Sequence, residues 1–219
     1  MEIINGRSDD MKMIEDNIRV LMSVISEHEL NYALRPIVFG TGNIQITVET
    51  LKTAFFEAEE DCRAIYEHDP SADSLSQVKF SYPGYEAMLM HRFAHLFWKS
   101  GNRDLGRYIS EAAHRTTGID IHPGACIGKR FAIDHGTGIV IGETAVIGDD
   151  CVMYQGALLG AKSLHGRTER GSKRHPTIGN RVVMYAYSTV LGNINVGDDC
   201  IIGAYKIVNG DVQSGTKVI

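Results

Sequence analysis

The sequence predicts an all-helical N-terminal region followed by a parallel β-helix. The main observation is an aliphatic residue at every sixth position from Ile121 onward, in three runs. The runs are Ile121, Ile127, Ile133 and Ile139; Ile141, Ile147, Met153 and Leu159; and Ile178, Met184, Val190, Val196, Ile202 and Val208. A period of six fits neither an amphipathic helix nor a single half-buried strand. It fits a short strand and a corner that repeat around a coil, which is the pattern of a parallel β-helix.

Glycine often follows the aliphatic residue, as in Ile127-Gly128 and Ile141-Gly142. Glycine suits a corner where the backbone turns tightly or reaches a positive φ. Three hexapeptides make one triangular coil, so we expect about five stacked coils around a continuous aliphatic core.

Upstream of the repeats, apolar residues recur at helical spacing. They predict four helices, over about 11–34, 47–67, 84–99 and 103–115, with a Ser-rich loop at 71–83. The period changes near residue 118, which divides the chain into a helical domain at 1–118 and a β-helix domain at 119–219. The helices could pack on each other, cap the open first coil or join subunits, since an uncovered β-helix end is an unpaired sheet edge.

Composition and charge exclude several classes of protein. The 219 residues carry a net charge of −5 with both signs interspersed, which argues against a nucleic-acid surface. The sequence contains no apolar run of membrane-spanning length and no basic-then-apolar signal at its start, so no membrane contact is expected. The four cysteines form no C-x-x-C pair, and we expect buried free thiols in a cytoplasmic protein.

One segment interrupts the repeats. Leu159 and Ile178 are nineteen positions apart, and no inward aliphatic residue falls where the period expects one. The segment is basic, with Lys162, His165, Arg167, Arg170, Lys173, Arg174 and His175. We predict a loop at about 160–177 that protrudes from one corner, either as a solvated excursion or as a carrier of binding residues.

Asp120 and His135 are the residues whose spacing suggests chemistry. They are fifteen positions apart, close to one coil, so the two side chains could meet on neighbouring coils. A carboxylate that orients an imidazole leaves its other nitrogen free as a general base, which an alcohol needs to attack a thioester. The alternative is that both residues only decorate corners. His122 and His175 each precede a proline, for which a turn role is the default.

A metal site and a nucleotide site are not expected. The nine histidines show no regular coil spacing, so a zinc site like that of a trimeric carbonic anhydrase lacks its ligands. The sequence also contains no GxxxxGK[ST] loop and no GxGxxG after a strand.

Several segments together resemble the serine acetyltransferases, the hexapeptide acyltransferases that make O-acetylserine for cysteine synthesis. They are 118–123 (GIDIHP), 133–138 (IDHGTG), 141–147 (IGETAVI), 174–176 (RHP) and 191–194 (LGNI). The resemblance extends over about residues 65–213. It implies a left-handed β-helix and an enzyme that joins acetyl-CoA and L-serine.

The resemblance also implies roles for the site residues. His135 is similar to the family's general base and Asp120 to the carboxylate that orients it. Asp69 and Asp134 resemble the acidic residues that hold the ammonium group of serine. The alkoxide then attacks the thioester directly, with backbone amides at the oxyanion.

The carboxylate of serine and the coenzyme are assigned in the same way. Arg174 and His175 resemble the residues that meet the carboxylate, for which a planar guanidinium is suited. The small residues of the coenzyme A groove correspond to Gly160, Ala161, Ala186 and Ala204. The family forms trimers with the active site between subunits, often paired into hexamers, and L-cysteine competes with serine as a feedback inhibitor.

The sequence departs from the family at three places. The loop at about 160–177 is longer and more basic than usual, and it either reaches the phosphates of coenzyme A or is only a longer surface loop. A Gly-Ala-Gly segment of the family is Tyr185-Ala186-Tyr187 here, and the rings would narrow the coenzyme groove or stack on the adenine. The chain stops at Ile219 without the polar tail whose terminal isoleucine enters O-acetylserine sulfhydrylase. Ile219 is then an accidental match or the chain is truncated, and binding of that partner is a weaker expectation.

Two other functions stay open on the sequence alone. One is acetyl transfer to another small hydroxyl acceptor, such as a sugar or homoserine, although a sugar has no charges for Asp69 and Arg174 to match. The other is a non-catalytic hexapeptide scaffold that has lost coenzyme A binding through Tyr185, Tyr187 and its short C-terminus.

Overall fold

The structure, a computed structural model, describes residues 48–162 and 171–219. Four helices lead in these ranges: α1 Val48–His68, α2 Leu75–Ser81, α3 Pro83–Lys99 and α4 Arg103–Thr117. The helices predicted over 47–67, 84–99 and 103–115 are confirmed, and the one predicted over 11–34 lies outside the described residues. Within the described ranges, no helix has the length and apolar character needed to cross a membrane.

The loop predicted at 71–83 is wrong, because its second half forms α2. The Ser74 side chain accepts a hydrogen bond from the backbone N–H of Gln77 at 3.1 Å and so caps the first turn. Of the residues of α2, Val78 alone is buried. Only Leu75 and Val78 fall at helical spacing in this seven-residue helix, a pattern too short to outweigh the serines that suggested a loop.

In the described residues, fourteen short strands follow the helices. They are β1 Asp120–Ile121, β2 Cys126–Ile127, β3 Ala132–Asp134, β4 Val140–Ile141, β5 Val146–Ile147, β6 Val152–Tyr154, β7 Leu158–Gly160, β8 Thr177–Ile178, β9 Val183–Met184, β10 Thr189–Leu191, β11 Asn195–Val196, β12 Ile201–Ile202, β13 Ile207–Val208 and β14 Lys217–Val218. They pair in parallel into three sheets, with neighbours in each sheet about one coil apart along the chain. The predicted parallel β-helix is confirmed.

We name the three sheets as faces of the coil. Face A contains β1, β4, β7, β10 and β13; face B contains β2, β5, β8 and β11; face C contains β3, β6, β9, β12 and β14. Edge AB is the corner at which the chain passes from face A to face B, as at 122–125 in the first coil. Edge CA is the corner from face C to face A, as at 135–139.

The predicted aliphatic residues form the core and stack in register. On face A, Ile121 pairs with Ile141, Ile141 with Leu159, Leu159 with Val190, and Val190 with Val208. None of these five is more than 7% exposed. One contiguous apolar core therefore runs the length of the coils, which is the main stabilising feature of a solenoid.

The helices cap the first coil. Ala87 and Met88 of α3 belong to the same buried cluster as the isoleucines of the coil. Gly84 lies so close to strand β3 that a Cβ there would come within 2.5 Å of the carbonyl oxygen of Ile133. Any side chain at Gly84 would push α3 away, so this glycine fixes how closely the helix approaches the strand.

A buried ion pair joins α1, α3 and the coil. The Arg92 guanidinium donates two hydrogen bonds of 2.9 Å to the Asp61 carboxylate, and it donates to the carbonyls of Ile127 at 2.7 Å and Gly128 at 2.6 Å. Asp61 also accepts from the backbone N–H of Phe131 at 2.9 Å. Burial raises the pKa of the Asp61 carboxyl to about 6, and Arg92 opposes that shift.

The cysteines are free, as expected. Cys62, Cys151 and Cys200 are buried, whereas Cys126 is half-buried. Burial raises the pKa of the Cys62 and Cys151 thiols to about 11, which makes both unreactive at neutral pH.

Candidate active site

The predicted catalytic histidine lies at edge CA. Strand β3 ends at Asp134, and His135 then turns the corner with a left-handed φ of 59°. Its side chain is 73% exposed, and Nε2 lies 3.8 Å from Oδ1 of Asp134. His135 therefore presents its imidazole to solvent beside a carboxylate, at a corner of the first coil.

Asp120 lies at the same edge, one coil away. It is the first residue of β1 and pairs with Val140, the residue that follows the 135–139 corner. Within the described ranges no hydrogen bond or ion pair joins Asp120 to His135. The spacing argument thus puts both residues at one edge, and their function as an orienting pair stays a prediction.

Asp69 is brought to this edge by the loop that follows α1. Its Oδ1 accepts hydrogen bonds from the Ser71 backbone N–H at 2.8 Å and the Ser71 hydroxyl at 2.7 Å, while Oδ2 accepts from the Tyr82 hydroxyl at 2.6 Å. These hydrogen bonds, that of Tyr82 first, lower the pKa of the Asp69 carboxyl, and nearby His135 adds to the shift. Asp69 is ionised at neutral pH and lies within electrostatic range of His135.

Arg174 and His175 lie at edge AB, away from His135. Thr144, on the edge AB corner of the second coil, binds the backbone that leads from Arg174 into β8. Its hydroxyl oxygen accepts from the backbone N–H groups of Arg174 at 2.9 Å and His175 at 3.1 Å. The Arg174 guanidinium donates to the Glu143 carboxylate. In one chain, the residues predicted for the ammonium group and those predicted for the carboxylate are therefore at different edges.

The His175 imidazole is neutral and its tautomer is defined. Nδ1 accepts from the Thr144 backbone N–H at 3.1 Å, so the proton is on Nε2. The ring lies against Gly142, where a Cβ would come within 2.2 Å of Nε2. Burial, followed by the charge of Arg174, lowers the pKa of His175 to about 4. A fixed N–H donor beside a guanidinium is suited to a carboxylate ligand.

The buried histidine predicts a loss of stability in acid. Its folded pKa is about 4 against an ordinary 6.5, so between these values the unfolded chain binds more protons. The free energy of unfolding should therefore fall as pH falls from about 6.5 to 4, by at most about 1.4 kcal/mol per pH unit for this histidine. Urea titrations of wild type and His175→Gln across this range measure the difference. His114→Gln, at an exposed histidine of α4, is the control, and an equal slope in wild type and His175→Gln would contradict the assignment.

The residues predicted for coenzyme A are also divided between edges. Gly160 ends β7 and Ala161 follows it at edge AB, whereas Ala186 and Ala204 lie on the third and fourth corners of edge CA. A groove lined by all four therefore needs edge AB of one chain beside edge CA of another.

Four tyrosines line edge CA beside Ala186 and Ala204. The rings of Tyr154 and Tyr185 stack with centroids 5.2 Å apart, and those of Tyr187 and Tyr205 stack at 5.1 Å. Tyr185, Tyr187 and Tyr205 are 42%, 49% and 73% exposed, so flat ring surface is open at this edge. Sequence reasoning named Tyr185 and Tyr187 but missed that each has a tyrosine partner one coil away.

Metal binding finds no support in the geometry of the described parts of the chain. No three His, Cys, Asp or Glu side chains there converge as a metal ion requires.

No protein-family model matches the chain. It is 46% identical over 159 residues to the serine acetyltransferase of Mycobacterium tuberculosis, covering 73% of this chain and 67% of that one. It is 45% identical over 155 residues to that of Helicobacter pylori strain 26695, covering 71% of this chain and 88% of that one. It spans 51% of the plasmid-encoded serine acetyltransferase of Synechococcus elongatus, to which it is 47% identical over 164 residues.

Solved structures agree in fold. Serine acetyltransferase isoform 3 of Entamoeba histolytica, in complex with cysteine, superposes with a TM-score of 0.75 at 39% identity, covering 87% of this chain and 67% of that one. A serine acetyltransferase complex with CoA gives a TM-score of 0.67 at 31% identity, covering 76% and 69%. The Neisseria gonorrhoeae enzyme in complex with serine gives 0.69 at 27% identity, covering 95% and 93%.

Proposed function

Because the chain belongs to the serine acetyltransferase family, with curated relatives at 43–47% identity, we propose that it transfers acetyl from acetyl-CoA to the hydroxyl of L-serine. The products are O-acetyl-L-serine, a precursor for cysteine biosynthesis, and free CoA. The arrangement of charge carries the proposal. Asp134 lies beside His135 at edge CA, ionised Asp69 lies within electrostatic range of the same histidine, and Arg174 with neutral His175 lies at edge AB.

In the proposed reaction His135 is the general base. It takes the proton of the serine hydroxyl as the oxygen attacks the thioester carbonyl, and no acyl-enzyme forms. The tetrahedral intermediate collapses with cleavage of the carbon–sulfur bond, and the imidazolium returns the proton to the departing CoA thiolate. Asp120 orients the imidazole and stabilises its charged form.

The acceptor is held by its two charges. Asp69 and Asp134 pair with the ammonium group, while the Arg174 guanidinium and the Nε2–H of His175 donate to the carboxylate. A sugar hydroxyl offers neither charge. L-cysteine carries both and differs from serine only in its thiol, so we propose that it competes at this site as a feedback inhibitor.

Acetyl-CoA would lie along the groove between edges, against Gly160 and Ala161 of one chain and Ala186 and Ala204 of another. The exposed rings of Tyr187 and Tyr205 offer a stacking surface for the adenine.

Further parts of the proposal concern the whole protein. We place the domain boundary at residue 118, with domains 1–118 and 119–219. The free cysteines support a reducing compartment, the cytoplasm.

The division of the site between edges requires at least two copies of the chain at each active site. A trimer whose edge CA meets edge AB of the next copy would complete three sites, and paired trimers would form a hexamer. Each site would then combine His135 of one copy with Arg174 of its neighbour.

Complementation tests both the activity and this division. His135→Asn and Arg174→Ala should each be inactive, measured as serine-dependent release of CoA thiol from acetyl-CoA. In trimers from equal co-expression, roughly a quarter of sites would pair an intact His135 with an intact Arg174, restoring about that share of activity. No recovery in mixed trimers would contradict a shared site.

The acceptor is tested on wild type with L-serine, L-homoserine and a galactoside. We expect L-serine to be the best acceptor. Release with homoserine or the galactoside alone would replace the serine assignment. No release with any acceptor from a folded oligomer would favour the non-catalytic scaffold.

A further inference from the structure

We propose that Tyr82 is a positioning residue that fixes the Asp69 carboxylate and so makes the acceptor site selective for molecules with an ammonium group. The inference rests on the proposed function, because Asp69 is there the group that meets the ammonium. The carrying observation is the 2.6 Å hydrogen bond from the Tyr82 hydroxyl to Oδ2 of Asp69.

Tyr82 completes the restraint of an otherwise mobile side chain. Ser71 donates twice to Oδ1, so without Tyr82 the carboxylate would be held at one oxygen only. With both oxygens bonded, the plane of the carboxylate is set, and a free lone pair on Oδ2 is left for a ligand. A binding group that is already ordered loses less conformational entropy when the ligand arrives.

The backbone gives Tyr82 a defined position. Its N–H donates to the carbonyl of Val78 at 3.2 Å and so closes α2, and Pro83 then begins α3. Gly84 permits α3 to touch the carbonyl of Ile133 in strand β3. Since Asp134 and His135 follow Ile133 directly, the same contact brings Tyr82 to the corner that carries the base.

The charges around the pair explain why a neutral donor is needed. Asp134 lies within electrostatic range of Tyr82, and both Tyr154 and His135 lie within electrostatic range of Asp69. Two carboxylates that converge on one cation repel each other when the cation is absent. The hydrogen bond to Asp69 raises the pKa of the Tyr82 hydroxyl, so Tyr82 keeps its proton and holds Asp69 in place against that repulsion.

Tyr82→Phe removes the hydroxyl and leaves the ring. We expect the KM for L-serine to rise about tenfold, the size of one lost hydrogen bond to a charged group, with the KM for acetyl-CoA unchanged. The matched control is Tyr66→Phe, at a tyrosine of α1 that is 39% exposed. Equal serine KM values in Tyr82→Phe and wild type would overturn the proposal.

Two further measurements separate positioning from a general structural effect. With 3-hydroxypropanoate, an acceptor without the ammonium group, Tyr82→Phe should show the wild-type KM. In an Asp69→Asn background, Tyr82→Phe should raise the KM for L-serine little further, because the group that Tyr82 positions is already neutral. Equal losses with both acceptors, or additive losses in the double variant, would show that Tyr82 only supports the fold.

Calorimetric binding of L-serine gives a result that does not depend on turnover. About tenfold weaker binding to Tyr82→Phe supports the positioning role even if wild type releases no CoA, in which case the proposed activity alone fails. Equal affinity in both proteins overturns the role of Tyr82. Absence of serine binding to wild type overturns both.

Discussion

His135→Asn should lower serine-dependent CoA release by about 10²–10⁴-fold, the usual contribution of a general base. Asparagine is the informative replacement because His135 has a left-handed φ of 59°, a conformation that asparagine adopts more readily than most residues. The side chain is 73% exposed, so its loss removes little packing. We therefore expect loss of turnover with an unchanged melting temperature, and an unchanged calorimetric affinity for acetyl-CoA.

The control for this variant is His114→Asn, which removes an exposed histidine of α4 whose ring lies 3.8 Å from Glu111 on the same helix. Its activity should equal that of wild type. If His135→Asn retained half of the wild-type rate, the general-base assignment would be wrong. If it lost activity together with its thermal transition, the loss would report folding instead of chemistry.

The coils could be predicted from the sequence because one short-range rule governs every turn. Each inward position, such as Ile141 or Leu159, must be aliphatic, and the repeat length of six fixes which residues stack. The structure confirms this register along face A. The three described helices that were predicted carry an equally local signal, a buried stripe at helical spacing.

The buried contacts between regions have no such local signal. Arg92 lies in an apolar stretch of α3, and its partner Asp61 is thirty-one residues earlier in the chain. Tyr82 and Asp69 are separated by α2, which was itself predicted as loop. Pairs of this kind depend on how two separate elements pack against each other, and that packing leaves no periodic pattern in a single sequence.

The edge at which a candidate site residue lies could be predicted where the repeat length is uninterrupted. Asp120 and His135 are close to one coil apart, and the structure places both at edge CA. Arg174 follows the insertion between Leu159 and Ile178, which interrupts the count, so the sequence could not assign it to an edge. In the structure the backbone N–H of Arg174 donates to the Thr144 hydroxyl, and Thr144 lies at edge AB of the coil before. This contact places Arg174 at edge AB.

Arg92→Leu should destabilise the fold by about 3–5 kcal/mol, because it leaves Asp61 as an unpaired buried carboxylate. Asp61 is fully buried and Arg92 is 6% exposed, so water cannot replace the lost partner. The carbonyls of Ile127 and Gly128 also lose their donor. Urea unfolding at pH 8 measures the change, and Arg107→Leu, which breaks an exposed pair with Glu111, should cost less than about 1 kcal/mol.

The pH dependence of this deficit identifies its cause. Burial already raises the folded pKa of Asp61 to about 6 with Arg92 present, and removal of the cation raises it further. The folded variant then binds a proton that the unfolded chain, with an ordinary pKa of 3.8, does not hold above pH 4. Stability linked to this proton is present at low pH and is lost as pH rises, so the deficit should be smaller at pH 5 than at pH 8. If Arg92→Leu lost the same unfolding free energy at both pH values, the loss would come from the missing packing of the arginine side chain and not from the unpaired carboxylate.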